Sequence, residues 1–211
     1  MALKELIQRS YSCEVRTLDD GSGAIIAGRP IVFNSRTDLG WFDEVIVSGA
    51  LDKTDLTDVR LLVNHDLNRI PLARSRRNNG NNTLQLTPIP EGMEFEANID
   101  IDNNASAREL YSAVNRGDIT GMSFMFSIER EEWDNLDTDH PLRRILDIGS
   151  IVEISAVTFP AYNATEIYAR DAESALEKAR AALEKARKRN AEQPVDTGLL
   201  EALKARLELI C

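Results

Sequence analysis

The chain has 211 residues, of which 43% are hydrophobic, and this is enough for one sizeable core with an appendage. Its formal net charge of −10 disfavours nucleic acid as a partner, because an acidic surface repels phosphate. No run approaches the roughly 18 apolar residues of a membrane span. The charged N-terminus does not resemble a signal peptide. Cysteines and histidines do not cluster as a metal site requires, so we expect no membrane, metal or cofactor.

Short strands separated by turn signals dominate the first hundred residues. Apolar and polar residues alternate with a period of two, which is typical of half-buried strands. Gly-rich and Pro-containing segments separate these runs and indicate tight turns. The predicted elements are a hairpin over 11–34, a short strand over 41–46, one or two helical turns over 48–56, a strand over 59–63 and a hairpin over 83–101.

The middle of the chain adds one helix and further strands. Apolar residues at Ala107, Leu110, Tyr111 and Val114 have helical spacing and predict a short helix over 106–115. With no long helices between the strands, we expect a mainly β fold of the α+β class, in the form of a closed or nearly closed antiparallel barrel. The remaining predicted elements are a strand over 119–129, a charged loop over 130–141, strands over 142–148 and 151–159, and a turn over 160–164.

The composition changes at about residue 171, where charged and helix-forming residues take over. The pentapeptide LEKAR occurs twice, seven residues apart, and places apolar residues on one helix face. Pro194 ends this helix, and a second amphipathic helix is predicted over 199–210. We therefore expect a domain over 1–170 and a helical tail over 171–211. Two heptads are too few to establish a coiled coil, so the tail helix alternatively docks on a partner or on the barrel.

Two histidines are the candidate bases for acid–base chemistry. His65 directly follows an apolar strand, and strand ends are where rigid scaffolds present catalytic groups. Its plain alternative is a histidine that caps the strand by hydrogen bonding. His140 precedes Pro141 in a charged loop, which favours a solvated side chain.

A serine and a carboxylate supply the other candidate catalytic groups. Ser123 follows Gly121 in an apolar strand, where a serine alone is usually structural and needs a base to become nucleophilic. Glu153 stands in a strongly apolar strand, where a carboxylate is costly unless it is paired, for example with a histidine ring. A Glu153 side chain facing water is the alternative. Asp66, Asp147 and His140 are rivals for this third role.

Five sequence blocks, in their order and spacing, resemble the prohead maturation proteases of tailed phages, which are distantly similar in fold to the herpesvirus assembly proteases. Each block alone is weak, and the resemblance covers about residues 10–170. The blocks are GRPIVFN at 28–34, FDEVI at 42–46 leading into SGAL at 48–51, LLVNHD at 61–66, GMSF at 121–124 and VEISAVTFPAY at 152–162.

The resemblance implies an endopeptidase in which Ser123 is the nucleophile, His65 the base and Glu153 the acidic third member. It further implies cleavage of the major capsid protein and its scaffold segment, and of the enzyme itself, inside the prohead in the host cytoplasm. We expect a homo-oligomer, and we place the oxyanion donors in the backbone at Ser155, Ala156 and Val157.

Two readings compete with a protease. A catalytically inactive capsid-assembly scaffold module would keep the barrel and would equally suit the tail and the acidic charge. A barrel that binds oligosaccharide or oligonucleotide is disfavoured by the negative charge and the low aromatic content of 6%.

Overall fold

A computed structural model describes residues 6–12, 15–19, 24–159 and 166–192. The predicted turn at 160–164, the second tail helix at 199–210 and both cysteines lie outside these ranges. Within them the chain forms β1 (Leu6–Ser12), β2 (Val15–Asp19), β3 (Ala24–Val32), β4 (Thr37–Asp38), β5 (Asp43–Ile46), β6 (Arg60–Val63), β7 (Ala73–Arg74), β8 (Leu84–Ile89), β9 (Gly92–Ile99), α1 (Ala105–Arg116), β10 (Gly121–Asp134), β11 (Leu142–Val157) and α2 (Glu166–Glu192).

The strands build two open sheets. A four-stranded antiparallel sheet has the order β2-β3-β9-β8, and a mixed seven-stranded sheet has the path β1-β10-β11-β5-β4 with β6 and β7 attached beside β11. One edge of β11 pairs in parallel with β5 near its start and with β6 near its end. The mainly β, α+β class is confirmed, but neither sheet closes on itself in the described part of the chain, so the predicted antiparallel barrel is not confirmed.

The hairpin of β10 and β11 is longer than predicted. The segment 130–134 was predicted to belong to a loop, yet it continues β10 to Asp134. Cross-strand ion pairs join Arg130 to Asp147 at 2.7 Å and Arg144 to Glu132 at 2.8 Å. These charges therefore lie on a solvated strand surface, where opposite charges across a ladder favour pairing. The predicted break between 148 and 151 is also absent, because β11 runs through it.

One hydrophobic core joins the inner faces of both sheets with α1. The fully buried aromatic residues Phe95, Phe124 and Phe126 belong to it. The predicted helix over 106–115 is confirmed as α1, which Asn104 caps by accepting hydrogen bonds from two backbone N–H groups. At its other end Gly117 adopts φ 76°, the left-handed conformation that commonly ends a helix.

The first part of the predicted tail is a helix that packs on the strands. Leu176 on α2 is 3% exposed and belongs to a small apolar cluster with Phe42 and the partly buried Trp133. Arg180 donates hydrogen bonds to the backbone oxygens of Leu136 and Thr138, which lie between β10 and β11. Within the described ranges no helix is both long and apolar enough to cross a membrane.

Candidate active site

His65 stands in a strained turn at the end of β6. Both Asn64 and His65 adopt left-handed conformations, with φ 51° and 57°, and such residues cost roughly 1–3 kcal/mol each. Three contacts to β11 and its end hold this turn. The Asn64 N–H donates to the Ala156 oxygen at 2.9 Å, the Thr158 N–H donates to Asn64 Oδ1 at 2.9 Å, and the His65 N–H donates to Ser155 Oγ at 3.1 Å.

The imidazole of His65 pairs with the carboxylate of Glu153. Nδ1 of His65 lies 2.6 Å from Oε1 of Glu153, which is fully buried in β11. A carboxylate accepts and does not donate hydrogen bonds, so the proton of a neutral imidazole resides on Nδ1 and the lone pair on Nε2. Nε2 is buried and has no hydrogen-bond partner among the described residues. The pair thus presents Nε2 of His65 as a buried nitrogen that can accept a proton.

Ser155 links the two members of this pair. It follows Glu153 by two residues and so lies on the same face of β11. Its hydroxyl donates to Oε2 of Glu153 at 2.5 Å while accepting the N–H of His65. Each oxygen of the Glu153 carboxylate therefore has a separate partner, one the imidazole and the other a hydroxyl.

Ser123 lies beside this assembly in a row of three serines. The sheet register places Ser123 of β10 directly opposite Ser10 of β1 and opposite Ser155 of β11. Residues directly opposite share a face, with Cβ atoms about 4.5–5.5 Å apart. The Ser123 hydroxyl accepts a hydrogen bond from Ser10 Oγ at 2.7 Å and donates to the Arg9 carbonyl oxygen at 2.8 Å.

Ser155, which lies opposite Ser123 in the sheet and accepts the His65 N–H, is thus the link between the predicted nucleophile and base, which share no hydrogen bond. His65, Glu153 and Ser155 form one connected group, whereas the proton of Ser123 is directed to β1. Ser123 is fully buried. Transfer of its proton to His65 requires the hydroxyl to leave Arg9 and turn towards Nε2.

A buried cluster of charges anchors β1 next to Ser123. Arg9 contacts both oxygens of Glu44, at 2.6 and 2.9 Å, and Arg143 contacts the same carboxylate at 3.3 Å. Burial alone would raise the pKa of Glu44, but attraction to Arg9, its hydrogen bonds and the nearby Arg143 outweigh burial and hold this pKa below its ordinary value. The charged form of Glu44 therefore holds β1 in place, and the Arg9 carbonyl of that strand accepts the hydrogen bond from Ser123.

The rivals for the third catalytic role have other partners. Asp147 pairs with Arg130, and Asp66 lies 3.5 Å from Arg69. His140 lies 3.1 Å from Asp43, in an exposed group with Asp38 whose potential ligand atoms are all within 4.8 Å of one another.

That group is a poor metal site, because Arg36 already donates to Asp43 at 2.5 Å. A guanidinium beside the carboxylate supplies positive charge where a metal ion would sit.

The predicted oxyanion donors lie in the centre of the sheet. Ser155 and Ala156 pair with β10 on one side and with β6 on the other, and Val157 pairs with Gly121. A strand with neighbours on both sides directs its N–H groups into the two ladders. Their role towards a substrate stays a prediction.

Sequence reasoning missed the contacts of Ser10 and Arg9 with Ser123. Their partner is more than 110 residues away, as the separation of 113 residues for Ser10 shows. No local signal reports such a pairing. The side-chain role of Ser155 had a usable signal, because residues two apart on a strand share a face with each other.

A cleft of about 720 Å³ opens next to the His65 turn. Asn64 and Asp66 contribute to one wall and the start of α1 to the other, with Leu62, Leu72 and Leu110 among the apolar lining residues. It is a concave surface of mixed polarity within two residues of the candidate base.

The chain matches a family of known proteins. The sequence model of the caudovirus prohead serine proteases matches residues 11–179, which include β2 to β11 and the start of α2. No curated protein and no solved structure shows significant similarity to the chain.

Proposed function

Because the chain belongs to the caudovirus prohead serine protease family, we propose that it is an endopeptidase in which Ser123 attacks the peptide bond, His65 takes the Ser123 proton and Glu153 holds the imidazole. The match to the family's sequence model covers residues 11–179, which is more than half of the chain and includes all three residues. The contacts of His65 and Glu153 support these roles.

The observation that carries this proposal is the state of the His65 ring. Its Nδ1 is engaged by the buried Glu153 at 2.6 Å, while Nε2 is buried and has no partner among the described residues. A nitrogen that has a lone pair and no partner among the described residues is available to take a proton, as a general base must. Accepting a proton from a serine during catalysis is a use that matches this tautomer.

The proposed reaction begins when the Ser123 hydroxyl turns from the Arg9 carbonyl to Nε2 of His65. As Ser123 Oγ bonds to the substrate carbonyl carbon, its proton passes to His65, and the imidazolium is stabilised by Glu153. His65 then protonates the leaving amine as the peptide bond breaks. Water, deprotonated by His65, cleaves the acyl ester and restores Ser123.

The proposed substrate is a polypeptide of the assembling shell. The cleft beside the His65 turn has a mixed polar and apolar lining that suits an extended peptide segment, and the sequence neighbours of His65, Asn64 and Asp66, line it. A prohead protease acts inside the phage prohead in the host cell, so we propose the major capsid protein and its scaffold segment as substrates, together with the enzyme itself. We further propose that copies of the chain associate and that residues 171–211 guide incorporation into the shell.

The test is cleavage of a coat–scaffold precursor by three versions of the full chain. Wild type should produce defined fragments, and Ser123→Ala should not. Ser127→Ala is the matched control, since Ser127 is a buried serine on the same strand that bonds Ser150 at 3.0 Å, away from His65. It should cleave at the wild-type rate.

Two results would contradict the proposal. Cleavage by Ser123→Ala at the wild-type rate would remove Ser123 from the mechanism. A folded wild-type chain that cuts neither the precursor nor itself would favour a non-catalytic assembly role. In that case the hydrogen bond from Ser123 to Arg9 would only stabilise the sheet.

A further inference from the structure

We infer that Ser155 is a positioning residue, whose hydroxyl fixes both the carboxylate of Glu153 and the backbone of His65 and thereby aims Nε2 at the nucleophile. The inference rests on the proposed function, because it concerns the same imidazole. It assigns a role to a side chain, which is separate from the predicted use of the backbone at 155–157.

The two hydrogen bonds of the Ser155 hydroxyl both lie within this group. A serine hydroxyl has one proton, and here it goes to Oε2 of Glu153 at 2.5 Å. The oxygen in turn accepts the His65 N–H at 3.1 Å. Ser155 is fully buried, so water does not compete for either bond.

These two bonds act on different degrees of freedom of the pair. The bond to Oε2 fixes the rotation of the Glu153 carboxylate, so that Oε1 meets Nδ1 of His65 in a single orientation. The bond to the His65 N–H holds a backbone that adopts the uncommon φ of 57°. A shift in either would move Nε2 relative to Ser123, and small misplacements of catalytic groups are costly.

Electrostatics predict a change in pH dependence when the hydroxyl is lost. A hydrogen bond to a carboxylate disperses its negative charge. In Ser155→Ala the carboxylate of Glu153 would interact more strongly with its remaining partner, the imidazole of His65. A stronger interaction with a negative charge favours the protonated form of that imidazole. The acidic limb of the pH–rate profile should therefore move to higher pH. Because the side chain of Ser155 contacts no substrate in this scheme, kcat should fall and KM should stay nearly constant.

The chain offers a close control in Ser75. It is also fully buried, and it also donates one hydrogen bond, to the Leu56 oxygen at 3.0 Å, and accepts one, from the Val59 N–H at 2.9 Å. Its partners are backbone groups of Leu56 and Val59, before β6, and neither bond involves His65 or Glu153. Ser75→Ala thus reproduces the loss of a buried serine without touching the His65–Glu153 pair.

The experiment compares Ser155→Ala, Ser155→Thr and Ser75→Ala in the full chain with a peptide substrate that the wild type cleaves. We expect Ser155→Ala to lower kcat by roughly 10- to 100-fold, the range for a hydrogen bond to a charged group, and to displace the acidic limb. Ser155→Thr keeps the hydroxyl and should recover most activity. Ser75→Ala should show neither change, whatever its effect on stability.

A second readout does not depend on turnover. In the Ser123→Ala chain, proton NMR of the His65 Nδ1–H should show a far-downfield resonance that weakens or shifts when Ser155→Ala is added and is unchanged by Ser75→Ala. Ser155→Cys, similar in volume but a weak donor, serves if Ser155→Ala does not fold. An unchanged resonance, or an unchanged pH limb and kcat, would overturn the inference. Absence of wild-type cleavage with the expected resonance changes would instead refute the proposed function alone.

Discussion

Replacing Glu44 with Gln should destabilise the chain strongly, because the carboxylate is the shared partner of two buried guanidinium groups. The side chains of Arg9 and Glu44 are 6% and 1% exposed. Removing one partner of a buried ion pair costs about 3–5 kcal/mol, since the other charge stays buried. This is a large part of the roughly 5–15 kcal/mol that stabilises a typical domain.

The assay is urea unfolding at pH 7, followed by circular dichroism, with the free energy of unfolding compared between wild type and Glu44→Gln. Glu94→Gln is the control. Glu94 also pairs with an arginine, at 2.8 Å from Arg29, but the two side chains are 38% and 47% exposed. An exposed pair contributes at most about 1 kcal/mol, so this variant should unfold almost as the wild type does.

The pH dependence supplies a second test. The pKa of Glu44 is lowered in the folded chain, because Arg9 and Arg143 outweigh the opposing effect of burial. A lowered pKa contributes stability that is present above the unfolded value, about 4.3, and is lost as pH falls through the folded value. The difference in the free energy of unfolding between wild type and Glu44→Gln should therefore decrease below about pH 4.3. A difference in the free energy of unfolding below about 1 kcal/mol at pH 7, or a difference that does not decrease in acid, would refute the reasoning.

Three further predictions test the site and the fold. Glu153→Gln should reduce kcat by roughly 10³- to 10⁴-fold, since an amide can hold the paired imidazole in the wrong tautomer; near-normal turnover would exclude Glu153 from this role. Gly92→Ala should lower the free energy of unfolding in urea by roughly 3 kcal/mol or more, because φ is +153° and the added Cβ would lie 1.9 Å from the backbone oxygen of Ile31. The control Gly80→Ala should be nearly neutral, because open space surrounds the added Cβ. Leu176→Ala should cost about 2–3 kcal/mol of docking against Phe42 and expose α2 to limited proteolysis; equal protection would contradict the observed packing.

Local patterns predicted the elements that depend on neighbouring residues. The helix expected over 106–115 occurs at Ala105–Arg116, and the hairpin around Gly92 is present as β8 and β9. These succeed because helical spacing, strand alternation and turn residues act within a few positions. The end of β6 at Val63 likewise matched, which located His65 at the end of a strand.

The sheet arrangement could not be predicted in the same way. Alternation reports which face of a strand is buried, but it does not report the partner or the direction of pairing. The parallel pairing of β11 with β5 and β6 joins segments about a hundred residues apart, and it produced open sheets in place of the expected barrel. The charged segment 130–134 was misassigned because ion pairs across a ladder are invisible until the partner strand is known.

The candidate site was predictable in part, because burial of a charged residue can be read from one segment whereas strand register cannot. A buried glutamate in an apolar strand demands a partner, and the structure gives Glu153 the imidazole of His65. The row of Ser10, Ser123 and Ser155 arises from strand register, which no single segment encodes.

The most direct test of the central claim is labelling with a serine-directed fluorophosphonate, followed by mass spectrometry of the digested chain. The account predicts one modified residue, Ser123, in the wild type and no modification of it in His65→Ala, because only the base at residue 65 makes that hydroxyl reactive. Modification of a different serine, or equal modification of Ser123 when His65 is absent, would contradict it.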